Sequence, residues 1–300
     1  MIVYIRNKHL DMVKWDKCIE RSKNSMPYAY SWYLSLVCEN WDALVYNDYE
    51  AVMPLPWKSW FGLKYITNPY FCQQLGVFYT QKKLDVDVFV NSIPSKFLYV
   101  SLNLNVANGH SIFAVKKNSN YELEINDIEF LRNNYSKSQV KNINKAKNKG
   151  VELSANVDCI SQFSDKKAIE AKAFMNTSML ALERRIMCAL INTSKGRIHS
   201  VSFNGQNCCS VFLIVSDKRL ILLSSYSDKI GKSKRAYFLL LDHIFSLPNY
   251  AGFTFDFEGS NIQSIADRNA RFGATLTNYY TIRRFFWQKK GVERLRKSKT

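Results

Sequence analysis

Glycine and proline are scarce in this chain, at 11 and 6 of 300 residues, which excludes collagen-like, low-complexity and largely disordered architectures. Histidine is rarer still. His9, His110, His199 and His243 lie far apart and share no metal-ligand spacing with Cys, Asp or Glu, so no metal is expected. The seven cysteines (Cys18, Cys38, Cys72, Cys159, Cys188, Cys208 and Cys209) are odd in number, and no pair has the two-residue gap of a zinc knuckle or redox motif. They read as reduced thiols in an intracellular protein. Adjacent Cys208 and Cys209 would sit on opposite faces of a strand as small buried hydrophobes. Apolar runs are short: residues 211–215 and 220–223 fall well below the ~20 residues of a membrane span, and residues 1–10 lack the apolar region of a signal peptide. A cytoplasmic chain without membrane spans is the expectation. Neither a serine nucleophile elbow nor a Walker loop is present, which argues against serine-hydrolase and P-loop chemistry. Acidic residues are few as well, 25 against 42 Lys and Arg, and the formal charge of +17 would attract nucleic acid, anionic lipid or phosphate-rich cofactors without choosing among them.

What is abundant is material for a core. Hydrophobic residues make up 47% and aromatics 14%, enough in a chain of this length for two compact units. The first half opens on a strand at 2–5, then an amphipathic helix over 11–22 with Met12, Trp15, Cys18 and Ile19 on one face, and a second helical rhythm over 28–39. A strand at 43–46, a turn at Asn47-Asp48 and a strand over 49–55 form a hairpin closed off by Pro54 and Pro56. Strands at 64–67, 73–78 and 97–104 follow, with a helix at 83–91, and two short strands at 112–115 and 121–125 flank a polar turn at 117–120. The second half starts near Asn126. It holds a helix over 136–148 stopped by Gly150, a strand at 151–155, helices at 168–174 and 179–192, and a meander of strands at 197–203, 207–216 and 220–226 with turns at Asn204-Gly205 and Asp217-Lys218. A helix over 233–246 carries Tyr237, Leu240, Leu241, Ile244 and Phe245 as one apolar stripe, before a strand at 253–257, a helix at 262–270 and a strand at 275–282. The similar order of elements in the two halves suggests a duplicated α/β unit, with domains at 1–125 and 126–300.

Four segments could carry chemistry. The first runs from the strand end at Ser224, Ser225 and Tyr226 through Asp228, Gly231, Lys232, Ser233 and Lys234 into a long helix. A strand, a short loop and a helix start is how α/β proteins offer backbone N–H groups to a pyrophosphate, and an ordinary solvated turn looks the same. The second is Asp256-Phe257-Glu258-Gly259-Ser260 after an apolar strand. Its carboxylates, two residues apart, would share one side of a regular strand, one as general base for an attacking amine and the other orienting it. The alternative there is that Ser260 caps the next helix while the carboxylates pair with lysines or arginines. The third is the helix bearing Lys137, Lys141, Lys145 and Lys149 every four residues, with Lys147 and Arg132 nearby, a cationic stripe suited to RNA phosphates, lipid head groups or plain solvation. The fourth is the C-terminal tail: Arg283, Arg284, Phe285, Phe286, Trp287, Lys289, Lys290, Arg294, Arg296, Lys297 and Lys299 against a lone Glu293, a mixture that fits nucleic-acid stacking, shallow attachment to an anionic membrane, or a free charged end.

Read together, Tyr-Ala-Tyr-Ser-Trp-Tyr-Leu at 28–34, Trp-Asp-Ala-Leu-Val at 41–45, Val-Met-Pro-Leu-Pro-Trp at 52–57, Gln-Gln-Leu-Gly-Val-Phe at 73–78, residues 142–146 of the basic helix, Asp-Phe-Glu-Gly-Ser at 256–260 and Phe-Gly-Ala at 272–274 give the chain its family likeness. It resembles the GNAT-like acyltransferases related to the Fem peptidoglycan-bridge aminoacyltransferases. The resemblance implies an α/β (α+β) fold of tandem GNAT-like domains, with mixed, largely antiparallel sheets flanked by helices. It also implies an acyl-CoA or aminoacyl-tRNA donor, no tightly bound cofactor, and an amine acceptor such as a cell-envelope precursor; the basic helix and tail add tRNA and peripheral contact with an anionic membrane as expected partners. Residues 228–235 depart from the Gln/Arg-x-x-Gly-x-Gly/Ala loop of acetyl-CoA enzymes, and Asp267-Arg268-Asn269 replaces a more aromatic and basic run. On this reading Glu258, Asp256 and Ser260 are catalytic, while Ser225, Tyr226, Gly231, Lys232, Ser233 and Lys234 bind the donor. The rival is a catalytically degenerate module that holds RNA or a membrane by charge.

Overall fold

In the computed structural model, which describes residues 1–154, 156–216 and 218–285, Asp11 starts the first helix by accepting the Val13 and Lys14 amides, as its short acidic side chain suits it to do. The chain divides into two compact units, Met1–Asn118 with Asn278–Thr300, and Ser119–Thr277. The sequence places the division at 125/126, with all of 126–300 in the second half. The difference has a topological cause, because the strand at 114–124 gives residues 119–124 to the second unit and the last strand gives residues 278–285 to the first.

The first unit contains β1 (Ile2–Ile5), α1 (Met12–Arg21), α2 (Ser31–Val37), β2 (Trp41–Tyr46), β3 (Ala51–Trp60), β4 (Leu63–Thr67), β5 (Phe78–Tyr79), α3 (Val86–Ser92), β6 (Phe97–Asn103) and the start of β7 (Ala114–Glu124). Its sheet runs β1-β2-β3-β4-β6 and then residues 281–285, antiparallel throughout except at the β4–β6 pair, with β5 added beside β3. Helix α1 buries Trp15, Cys18 and Ile19, the face its apolar spacing marks. The helix expected over 28–39 is shorter, because Pro27 opens a separate 3-10 turn. The strand expected over 73–78 shrinks to Phe78–Tyr79. Amide side chains replace a ladder there: Asn105 Nδ2 donates to Leu75 O at 2.9 Å, and Asn108 both accepts from Val77 N at 2.9 Å and donates to Val77 O at 2.8 Å.

The second unit contains the end of β7, α4 (Ile128–Asn133), α5 (Lys137–Asn148), β8 (Val151–Leu153), α6 (Ile160–Ala171), α7 (Thr177–Asn192), β9 (Gly196–Phe203), β10 (Gln206–Ser216), β11 (Arg219–Ser227), α8 (Lys229–Lys234), α9 (Ala236–Phe245), β12 (Thr254–Asp256), α10 (Gln263–Ala270) and the start of β13 (Thr275–Phe285). Its strands run β7-β12-β11-β10-β9-β8, and only β11 and β12 are parallel. Both faces are covered. Val211 and Leu213 of β10 join Ile143, Leu240, Ile244, Phe245, Phe255, Phe257 and Phe272 in one apolar cluster. Phe212, on the opposite face, packs on Gly196 at the start of β9, where an added Cβ would come within 2.7 Å of its ring and 3.0 Å of Ile191 N in α7. A central strand buried on both sides must be apolar at successive positions, which is why residues 211–214 read as an unbroken hydrophobic run.

Two sequence expectations change in this unit. Residues 117–120, expected as a polar turn, lie inside the single strand β7 because Asn118 and Asn120 are buried and bonded: Asn118 to Thr281 in the first unit, Asn120 to Asp256 in the second. The helix expected over 233–246 is two helices, broken at Arg235, whose φ of 64° is left-handed. Among the described residues no helix is long and apolar enough to cross a membrane.

Candidate active site

The parallel pair β11–β12 holds for three rungs only, Arg219↔Thr254, Leu220↔Phe255 and Ile221↔Asp256. β12 then ends while β11 continues to Ser227, so the second unit opens a gap at the carboxyl ends of two parallel strands, the position where open α/β sheets bind ligands. β11 also carries a bulge there. Its register with β10 jumps from Phe212↔Ser224 to Leu213↔Leu222, leaving Leu223 as the extra residue.

The segment 256–260 leaves the end of β12, and its three polar residues have separate situations. Asp256 is fully buried, and its two oxygens accept from Asn120 Nδ2 at 2.9 Å, Arg219 Nη1 at 2.8 Å and the Glu258 amide at 3.0 Å. Burial pushes its carboxyl up, and the Arg219 guanidinium opposes that push. Arg219 also meets Glu122 at 2.9 Å, so buried Asp256 belongs to a partly exposed ion-pair cluster across β7, β12 and β11. Ser260 does not cap α10. Its hydroxyl donates to Glu258 O at 2.8 Å and accepts from Asn269 Nδ2 at 3.1 Å, which ties the turn to the following helix.

Glu258 is the exception. Its φ is +48° and that of Gly259 is +46°, so the chain leaves the strand at Glu258 in a conformation unusual for a glutamate. The expectation that Asp256 and Glu258 share one side of a regular strand therefore fails, since β12 has already ended. The Glu258 Oε1 atom is buried with no hydrogen-bond partner, and burial alone pushes the carboxyl up to about 8. A carboxyl with one buried, unsatisfied oxygen on a left-handed turn at a strand end is a candidate for proton exchange.

The predicted donor residues are mostly committed elsewhere. The Tyr226 hydroxyl donates to Asp158 and accepts from Ser210 Oγ at 3.0 Å and Lys166 Nζ at 3.2 Å, inside a buried network that also holds Asn207. Gly231 donates its amide to the Asp228 carboxylate at 2.8 Å, and an added Cβ would lie 2.4 Å from Cys208 O, so this glycine seats α8 on β10. Lys232 pairs with Glu170 at 2.9 Å, Ser233 donates to Ile230 O at 3.0 Å, and Lys234 donates to Lys149 O at 2.9 Å. The first turn of α8 thus presents a carboxylate where a pyrophosphate was expected. Ser225 does face the gap. The Asp228 N to Cys208 O bond sets the antiparallel phase, which turns the main-chain groups of residues 225 and 227 away from β10.

Helix α6 supplies residues that the sequence reading missed. Lys167 Nζ donates to Ser225 O at 2.8 Å, and Glu170 Oε2 accepts from the Ser227 amide at 3.2 Å, so two side chains stand in for the strand that β11 lacks. Glu183 of α7 is a second buried acid near this strand end. Burial pushes it up, against the nearby Ser224 hydroxyl and the charge of Lys167. The signal was present in the sequence: Glu183 stands on the same face of α7 as buried Ile186, Met187 and Leu190, a charge on an apolar stripe.

The cationic stripe is real. Lys137, Lys141, Lys145, Lys147 and Lys149 are exposed on α5 while Gln139, Ile143 and Ala146 are buried. Arg132 stands apart, held by Asp242 through two bonds of 3.0 and 2.8 Å. Of the tail, Arg284 is buried and donates to Val90 O, and Arg283 and Phe285 lie on β13; Phe286, Trp287, Lys289, Lys290, Glu293, Arg294, Arg296, Lys297 and Lys299 lie outside the described residues.

Among solved structures the chain is similar to FemX, with a TM-score of 0.66 and 10% identity over 93% of this chain and 96% of that one. It is also similar to a tandem GNAT protein from the clavulanic acid biosynthesis pathway, with a TM-score of 0.52 and 8% identity over 95% and 99% of the two chains. A third likeness is to a DUF2156 domain assigned as the C-terminal part of a lysylphosphatidylglycerol synthetase of Agrobacterium fabrum, with a TM-score of 0.51 and 8% identity over 91% of each chain. No family model matches the sequence, and no curated protein is similar to it. The fold is the tandem GNAT fold, as the sequence resemblance implied.

Proposed function

We propose that this chain transfers an acyl group from an activated donor to an amine, with Glu258 as the general base. The amine nitrogen attacks the donor carbonyl, its proton passes to the Glu258 carboxylate, and the bond from the carbonyl carbon to the leaving oxygen or sulfur breaks. Glu258 then returns the proton to the leaving group, and no covalent enzyme intermediate forms. The observation that carries this reading is the buried, unpartnered Glu258 oxygen at the end of β12, with the carboxyl pushed up to about 8. A base with that affinity for protons is about a tenth ionised at pH 7 and still strong enough to accept a proton as the amine attacks. Asp256 and Ser260 act as positioning residues, because one fixes the Glu258 amide and the other the Glu258 carbonyl.

The donor would enter the gap beside β11 and take over the Ser225 carbonyl and Ser227 amide from Lys167 and Glu170, pairing with the strand as an added strand does. Of the two donors implied by the resemblance, aminoacyl-tRNA fits better than acyl-CoA. The Asp228 carboxylate at the start of α8 repels a pyrophosphate, whereas the lysines of α5, joined to Lys234 through Lys149 O, offer phosphates an extended cationic track. The acceptor is an amine, with an amine-bearing cell-envelope precursor as the natural first choice to assay.

The test is donor discharge. The protein is incubated with a mixed aminoacyl-tRNA pool, and separately with an acyl-CoA pool, in the presence of such precursors. Amide formation that falls ~100-fold in Glu258→Gln supports the mechanism. Binding of tRNA and bulk RNA alike, steeply weakened by salt and without discharge of either pool, would favour a charge-driven binding module instead.

A further inference from the structure

The β3–β4 hairpin of the first unit ends in an aromatic tip that stands exposed among the described residues. Trp60 pairs with Leu63, so the loop is two residues long, Phe61-Gly62, with φ of 45° and 77°. Two positive φ values in succession make the type I′ turn, whose first position favours Asn, Asp or Gly. Here it holds phenylalanine, which is 86% exposed, beside Trp60 at 67%. The two rings meet edge to face at 4.9 Å, and Leu63 is exposed as well. A bulky residue in a left-handed conformation, gaining no burial, has no reason within the fold to be there.

The surroundings identify what would cover it. No acidic residue occurs between Trp57 and Ile66, while Lys58 and Lys64 sit one on each face of the hairpin. Lys64 Nζ lies 4.1 Å from the Trp57 ring centroid and Lys58 Nζ 6.0 Å from that of exposed Tyr70. Ladder pairing with β2 stops at Pro56 and pairing with β6 begins at Lys64, so only residues 60–63 reach past both neighbouring strands. A projecting tip of Trp, Phe and Leu with a collar of lysines and tyrosine is built for the boundary of a bilayer, where apolar side chains enter the acyl region and cations stay with the head groups. Single-stranded nucleic acid fits less well, since Leu63 offers no stacking face and Trp60 and Phe61 already pack on each other.

We propose that the β3–β4 hairpin tip is a membrane anchor that inserts Trp60, Phe61 and Leu63 into the interface of a bilayer rich in anionic lipid. This is independent of the acyl-transfer reading. Phe61→Asn tests it cleanly, because Asn-Gly is the preferred pair for this turn and the variant should fold at least as stably as the parent. The full chain is floated with vesicles of phosphatidylcholine alone and with added phosphatidylglycerol, at low salt and at about 0.5 M salt, where charge attraction is screened within about 4 Å. The parent is expected to bind the anionic vesicles preferentially and to remain bound in high salt. Phe61→Asn, alone and with Trp60→Ser, should lower high-salt binding ~10-fold or more, with thermal unfolding unchanged or raised in the single variant. Equal vesicle binding by parent and variants overturns the proposal. So does loss of binding to a labelled single-stranded RNA with vesicle binding intact.

Discussion

Replacing Glu258 by Gln removes one titration while keeping nearly the same shape, and its effect can be read without knowing the substrate. In the folded chain burial raises the Glu258 carboxyl from an ordinary value of 4.5 to about 8. The unfolded chain therefore gives up this proton first, and the parent loses stability as pH rises from about 4.5 through about 8. The interval of about 3.5 pH units, at ~1.36 kcal/mol each, sets a ceiling of about 5 kcal/mol. Glu258 as a residue keeps partial contact with water, so about 2 kcal/mol is the smaller figure to expect. Urea denaturation of parent and Glu258→Gln at intervals from pH 5 to pH 9 measures it. The stability of the variant relative to the parent should climb by about 2 kcal/mol or more across that range. An unpaired Gln amide would shift the variant's whole curve equally at every pH, so the slope alone decides. Parallel curves would mean that Glu258 titrates as a solvated acid, and the argument for it as the base would fail. Once a donor is found, kcat/KM of the parent should rise with pH to a plateau above about 8.

Three further outcomes follow from the same unit. Arg219→Met should destabilise the chain by about 3–5 kcal/mol by leaving Asp256 buried without its cation, and Asp256→Asn in the same chain should recover part of that loss; a Tm indistinguishable from the parent would refute the ion-pair account. Asp158 is buried, which pushes its carboxyl up, yet hydrogen bonds from Ser210, Tyr226 and Asn207 and the charge of Lys166 outweigh this and hold it below its usual value. Its contribution is present above the ordinary carboxylate range and is lost as pH falls through the folded value, so Asp158→Asn should flatten the acid side of the stability curve, and an unchanged acid limb would count against it. Gly231→Ala places a methyl 2.4 Å from Cys208 O and 2.6 Å from Ser227 Oγ and should cost about 1–3 kcal/mol by calorimetry, whereas a neutral result would mean that α8 shifts freely on β10.

The parts of the fold legible in the sequence are those whose causes are local. The helix over 137–148 shows both ends, Ser136 accepting the Gln139 amide and Gly150 at φ 74°, and the meander of β9 to β11 shows its first turn as Asn204-Gly205, with φ of 51° and 75°. The misread parts are those whose causes lie far along the chain. Asn118 and Asn120 are turn-formers by composition, but their partners are Thr281 and Asp256, more than a hundred residues away. The break at Arg235 has no local signature at all, since an arginine is not a residue that favours the left-handed φ of 64° it adopts between the two helices.

The candidate site shows the same division within five residues. Asp256 and Glu258 are both acids, two positions apart at a strand end, and composition cannot rank them. What separates them is the supply of donors. Arg219 and Asn120 come from neighbouring strands and satisfy Asp256, as does the amide of Glu258 itself, so the first acid becomes part of the frame. The same amide bond and the Ser260 hydroxyl then hold the turn in which one Glu258 oxygen is buried and unanswered. Three donors meet one carboxylate and none meets the Oε1 of its neighbour, so the first is tied into the frame and the second is the acid whose proton Glu258→Gln tests. The assignment depends on strand order, which places Arg219 beside β12, and strand order is the property least visible in a single sequence.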